Sequence, residues 1–217
     1  LLNDPPRQEA EHDPRFLPLD ALLDASDILT LHVPLTRAGP HPTFHLLDRA
    51  RFARLKPGCL LVNAARGPAL DSDALLEARA RGTLAAVVLD TWEGEPAFRT
   101  DVLERTDIAT PHIAGHSFEG KVTGTLMVYR ALCRFLGRDA GWSPDPLLPP
   151  PLVPKVRIDP AGRAPDAALD EVVRQVYDIE ADDRRLRAGA GSDPQARGAH
   201  FEALRTHYPM RREFRFT

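Results

Sequence analysis

The sequence predicts an α/β protein: a partial doubly wound parallel sheet followed by a small α+β unit. Three observations carry that prediction. Short apolar runs at 28–32 (ILTLH), 59–62 (CLLV), 85–89 (AAVVL) and 108–109 are each bounded by turn or polar residues, as buried parallel strands are. Helix patterns with start and stop signals fall between them, so β and α alternate along the chain. A stretch at 141–154 then carries six prolines, which admit neither a helix nor a central strand and mark a boundary.

Taken in order, Leu1–Asp4 reads as the tail end of one further strand. Asp48 starts a short helix that ends at Lys56-Pro57-Gly58. Asp71 caps a helix running to Arg81, with Leu75, Leu76 and Ala78 apolar and Gly82 as its stop. Ser117 caps a long helix in which Val122, Leu126, Tyr129, Cys133 and Leu136 recur on one face before Gly137 ends it. These boundaries give a sheet domain over 1–140 with a return helix at 117–137, a linker over 141–154, and a second domain over 155–217. In that second domain Asp166 is expected to cap an amphipathic helix with Leu169, Val172, Val173, Val176 and Tyr177 in register. The charged, glycine-bearing stretch 182–198 reads as a mobile loop, 199–207 as a short helix, and 213–216 as the start of a strand.

Composition narrows the function classes. An apolar fraction of 43%, a charged fraction of 27% and a net charge of −3 are ordinary for a soluble domain and point to neither nucleic acid nor an anionic membrane as partner. No apolar run approaches the ~20 residues that span a bilayer, and LLNDPPRQ lacks a secretory pattern. Cys59 and Cys133 read as small buried apolar residues, not a disulfide framework. The cytoplasm is the expected location.

Chemistry concentrates in three motifs: VNAARG at 62–67, DTWEGEP at 90–96 and PHIAGHS at 111–117. They place Arg66, Glu95 and His112 at the ends of three successive strand patterns, the rim where open parallel sheets bind ligands. Arginine offers a planar fork for a substrate carboxylate. Histidine can take a hydroxyl proton, and a neighbouring carboxylate can orient the ring. Singly, each has a plainer reading: a solvated loop arginine, a turn glutamate before Pro96, a loop histidine after Pro111. Together they form a candidate catalytic set for oxidising a hydroxy acid. The His112-x-x-x-His116 spacing is no metal signal, because Pro111 and Gly115 oppose the helix it needs. The other histidines (His12, His32, His41, His45, His200, His207) show no ligand spacing with cysteine or acidic partners.

With those motifs the chain resembles the D-isomer-specific 2-hydroxyacid dehydrogenases. WEGEP, HIAGHSFEGK and the tail HFEALRTHYPMRREF resemble members that act on a small phosphorylated 2-hydroxy acid. The resemblance implies a Rossmann-like sheet binding NAD, with Asp4, Val33, Ala64, Ala65, Arg66, Asp90 and Gly115 contacting the cofactor. Asp4 would bind the ribose hydroxyls and favour NAD over NADP, although an aspartate before Pro5-Pro6 also reads as a cap or turn residue. His116 stands where those members carry a substrate-contacting tyrosine, and imidazole is shorter than phenol. Arg205, Arg211 and Arg212 are candidates for the substrate phosphate, with a solvated basic surface as the plainer reading. The region after the prolines is implied to be a dimerisation domain of a homodimer. No Gly-x-Gly-x-x-Gly loop precedes a helix here, so the chain is expected to begin just after that loop, to stop short at its end, and to be inactive alone. Sister dehydrogenases of the 3-phosphoglycerate or glyoxylate/hydroxypyruvate type, and a non-catalytic dinucleotide-sensing protein, remain alternatives.

Overall fold

A computed structural model describes residues 1–150, 153, 155–159 and 162–213. They group into two compact units, Leu1–His112 with Glu180–Thr206, and Ile113–Ile179 with His207 onward. The boundary expected at 141–154 therefore differs from the division by packing, which returns 180–206 to the sheet.

In the first unit the elements run α1 (Pro5–Glu11), α2 (Leu19–Ala25), β1 (Ile28–Leu31), α3 (Arg49–Phe52), β2 (Cys59–Asn63), α4 (Ser72–Ala80), β3 (Leu84–Leu89), α5 (Thr100–Glu104) and β4 (Ile108–Ala109). The four strands are parallel, in the order β1-β2-β3-β4. Each apolar run of the sequence becomes a strand to within about a residue. Burial alternates, however: Leu29, Leu31, Cys59 and Leu61 are buried, whereas Ile28 is 63% exposed. Crossovers of one hand, all stepping the same way along the sheet, lay their helices on one face, so only alternate residues meet them. Leu1–Asp4 forms no strand; Leu2 makes a single parallel bridge to Phe16, and α1 begins at Pro5.

The helix signals act as local chemistry dictates. The Asp71 carboxylate accepts from the N–H groups of Asp73 and Ala74, and Asp48 accepts from Arg51, satisfying donors that a helix start leaves open. Gly82 stops α4 at φ +75°, a backbone conformation that a side chain would strain. Apolar faces of these helices close the core around Leu23, Leu47, Phe52, Leu61, Leu75 and Leu89, all essentially inaccessible.

The stretch 182–198 corrects the sequence reading. It is largely helical, within α8 (Ile179–Ala188) and α9 (Pro194–Thr206), which follow α6 (Phe118–Phe135) and α7 (Pro165–Val176) of the second unit. Its charges act on the sheet unit's backbone. Asp183 accepts from the Ala109 N–H, and the Arg187 guanidinium donates to the carbonyls of Leu103 and Thr106 at the end of α5. Leu186 and Phe201 are fully buried, Phe201 against Phe98 and Phe98 against Trp92.

The second unit holds α6 (Phe118–Phe135) and α7 (Pro165–Val176). Ser117 caps α6 through the Gly120 N–H. Cys133 is only half-buried, and Leu136, expected on the covered face, is 56% exposed. Asp166 is not the cap of α7: Pro165 opens the helix and Asp166 lies in its first turn, where a carboxylate suits the helix dipole. Leu169 is exposed. Among the described residues of 155–217 no strand occurs, so the expected α+β character there is helical only; of 213–216, all but Glu213 lie outside the described residues. No helix among the described residues is long and apolar enough to cross a membrane.

Candidate active site

The site is built from three loops leaving the C-terminal ends of β2, β3 and β4, strands that sit side by side at about 4.8 Å spacing. The first loop carries Arg66. The buried Asn63 side chain staples it, accepting from the Ala65 N–H and donating to the Arg66 carbonyl. Ala65 is buried and Ala64 half-buried, while the Arg66 side chain is exposed, one guanidinium nitrogen donating to the Ala65 carbonyl at 2.6 Å.

Gly67 decides how close the second loop can come. A Cβ at Gly67 would lie 2.0 Å from the Trp92 carbonyl carbon and 2.4 Å from the Glu93 nitrogen, so the 92–96 turn packs directly on the Arg66 loop. This turn is tied internally, with the Trp92 N–H donating to Glu95 Oε2 at 3.0 Å. The Trp92 indole N–H donates to the Thr110 carbonyl, joining the turn to the third loop.

His112 follows β4 with φ +54°, a left-handed backbone, and its N–H donates to the Asp90 carbonyl. Its Nδ1 meets Glu95 Oε1 at 2.6 Å, with both side chains about one-quarter exposed. Carboxylate and imidazole are therefore paired yet reachable, next to the loop bearing Arg66. Asp90 is buried at the end of β3 and accepts from the Thr110 hydroxyl at 2.6 Å.

The remaining predicted residues divide. Val33 follows β1 on the same rim and packs half-buried against the core. Asp4 caps α1, accepting from the Arg7 N–H at 3.1 Å. Gly115 and His116 belong to the second unit, where Gly115 is exposed and the His116 ring meets Tyr208 edge-on. Of the phosphate candidates, Arg212 has a side chain only 7% exposed and paired with the buried Glu119, while Arg211 donates to the carbonyls of Ile113 and Ala114. Arg205, in the sheet unit, pairs with Glu202.

Sequence reasoning missed Asn63, Gly67 and Thr110, which shape the rim without touching its chemistry. Nor does the sequence show that His41 bonds Glu9, or that His45 bonds Glu93 from 48 residues away. Spacing along the chain carries no signal for such pairs. No group of three or more potential metal ligands occurs among the described residues.

A parallel sheet whose rim sets an arginine loop beside a carboxylate–histidine pair defines an α/β domain of the dehydrogenase type. The chain belongs to the family described as D-isomer specific 2-hydroxyacid dehydrogenase, NAD binding domain, whose model matches residues 2–114. A second model, described as a domain of unknown function (DUF3410), matches residues 147–216. Similar curated proteins include the erythronate-4-phosphate dehydrogenases of Salinibacter ruber, 47% identical, and Azotobacter vinelandii, 48% identical. Each alignment covers 98% of this chain and 56% of the relative, so the chain spans a little over half the length of these relatives. Solved structures with similarity include a D-lactate dehydrogenase from Aquifex aeolicus complexed with NAD and lactic acid (30% identity, TM-score 0.45, 55% of this chain and 40% of that one). An NAD-dependent formate dehydrogenase from Staphylococcus aureus is another (33% identity, TM-score 0.49, 62% and 40%).

Proposed function

We infer that the protein catalyses NAD-dependent oxidation of 4-phospho-D-erythronate to 2-oxo-3-hydroxy-4-phosphobutanoate, a step of pyridoxal phosphate biosynthesis. The observation that carries this reading is the 2.6 Å His112–Glu95 pair beside the Arg66 loop. The rim suits a nicotinamide. Ala64 and Ala65 are small enough for a flat ring to approach their fixed backbone, and the Asp90 carboxylate can accept from a carboxamide. NAD held there by Ala64, Ala65 and Asp90 would supply the acceptor for the hydride of C2.

The chain's own residues do the rest. Arg66 grips the substrate carboxylate and so orients C2. The hydroxyl proton of C2 passes to His112 Nε2 as the C–O double bond forms, and Glu95 on Nδ1 holds the ring and balances the imidazolium. In the reverse direction the same nitrogen returns the proton. Val33 and Gly115 complete the cofactor contacts by resemblance, with Asp4 near the ribose and His116 on the substrate. We assign dimerisation to the domain over 155–217 by resemblance; Met127, Val128, Leu132 and Phe135, exposed on the preceding helix α6, offer a further association surface. A phosphorylated small acid as substrate, a homodimer and a cytoplasmic location belong to the same reading.

The test is NADH formation by the full-length gene product, with 4-phosphoerythronate and 3-phosphoglycerate compared. Turnover of phosphoerythronate at the higher kcat/KM supports the reading. Preference for phosphoglycerate keeps the mechanism and overturns the substrate, while NAD binding without turnover of either overturns the enzyme.

A further inference from the structure

The 92–96 turn carries a second carboxylate, Glu93, and it is paired as firmly as the first. Glu93 Oε1 meets His45 Nε2 at 2.6 Å, and Glu93 Oε2 accepts from the Ser72 N–H at the start of α4. The partner is itself fixed. His45 has a left-handed backbone at φ +48°, its N–H donates to the Pro68 carbonyl, and its ring stacks on Phe44 at 4.0 Å. Its Nδ1 lies 3.9 Å from the Asp71 carboxylate. Both ring nitrogens of His45 thus face acids.

We propose that the Glu93–His45 pair is a positioning device that fixes the 92–96 turn so that Glu95 meets His112. Glu95 has two oxygens and uses both: Oε2 takes the Trp92 N–H and Oε1 the His112 ring. The direction of the Trp92 N–H therefore sets where Glu95 points. The next residue is Glu93, whose side chain ties the turn to α4 and to the His45 loop. Gly67 fits the same arrangement as a floor: the Trp92–Glu93 peptide rests on it with no room for a Cβ. Anchored on one side by His45 and Ser72 and on the other by the Trp92 indole on Thr110, the turn cannot rotate without breaking one of these bonds. Small displacements of a reacting group are costly, a shift of about 1 Å being worth roughly a hundredfold in rate.

This proposal rests on the dehydrogenase reading, and its test separates the two. Kinetics are measured on the full-length gene product for wild type, Glu93→Ala, Glu95→Gln and the double variant. Loss of the anchor is expected to lower kcat about 10- to 100-fold, with KM for both substrates nearly unchanged. The same change in the Glu95→Gln background is expected to cost less than about twofold, since there is no oriented carboxylate left to misplace. His45→Gln, which keeps a donor for Glu93, is expected to retain most of the activity that His45→Leu loses; this pair also serves should Glu93→Ala fail to fold. Equal fold-losses in both backgrounds would overturn the positioning role. An inactive wild type would overturn the dehydrogenase reading instead.

Discussion

The two histidine–carboxylate pairs on the 92–96 turn are built alike and placed differently. Each joins a histidine with a left-handed backbone to a glutamate of the same turn at 2.6 Å, about a quarter to a third exposed. His45 is caught between Glu93 and Asp71, stacked on Phe44, and belongs to a loop that packs on Pro68. His112 has one nitrogen on Glu95 and stands at the sheet rim beside Arg66. On the proposed reading, what separates an anchor from a proton carrier is not the pair but the second ring nitrogen: 3.9 Å from the Asp71 carboxylate in one case, left for a substrate in the other.

The largest expected effect would break that comparison directly. His112→Gln should lower kcat by about 10²- to 10⁴-fold, the usual worth of a general base. His45→Gln should stay within about tenfold, since its role acts through a neighbour. Steady-state NADH formation under saturating NAD measures both. Equal losses at the two histidines would mean that the second ring nitrogen does not distinguish them.

Arg66 comes next. Lysine keeps the charge but not the fork, so Arg66→Lys should raise KM for the acid and lower kcat/KM roughly 10- to 100-fold, the range of a lost charged hydrogen bond. Affinity for NAD, followed by quenching of protein fluorescence, should change little. A loss confined to NAD affinity would remove the substrate role and leave Arg66 only the cofactor contact that the resemblance implies.

How far the sequence could be read follows the range of the interactions involved. The strands were legible because a buried run of apolar residues is a local pattern, and Asp71 and Ser117 were legible because capping reaches only two or three residues. Arg66, Glu95 and His112 lie where strand ends put them. Glu93–His45 was not legible, since neither residue has a periodic neighbour and their meeting depends on two loops crossing. The 182–198 stretch failed for the opposite reason. Its charges looked solvated, but Asp183 and Arg187 spend theirs on backbone groups of β4 and α5, partners some eighty positions away. Composition cannot distinguish a salt-exposed helix from one that caps its neighbours.

Gly67 sharpens the comparison because both pairs hang from the turn it supports. Gly67→Ala should destabilise the protein by about 1–3 kcal/mol, the usual cost of overpacking, since its methyl meets backbone rather than a yielding side chain. Activity should fall further than stability alone explains, as the turn must shift. Urea unfolding gives the first quantity and kcat in the folded range the second. Unchanged stability with full activity would show the turn free to move and remove the common floor.

The smallest effect lies in the second unit, where a carboxylate is paired with arginine instead of histidine. Burial pushes the Glu119 carboxyl up, but the Arg212 guanidinium and the N–H of Glu213 outweigh it and hold the group below its ordinary 4.5. Arginine keeps its charge at every accessible pH, so only the carboxylate titrates. A group whose folded value is depressed contributes stability above its unfolded value, and that contribution fades as pH falls through the folded value. Wild type should therefore exceed Glu119→Gln in urea midpoint near neutrality, and the gap should narrow below about pH 4.5. A gap that stays constant into acid would mean the ion pair contributes shape rather than charge. A histidine pair differs in kind: either partner can take the proton, so it can serve a reaction, whereas the Arg212–Glu119 pair can only hold the tail to α6.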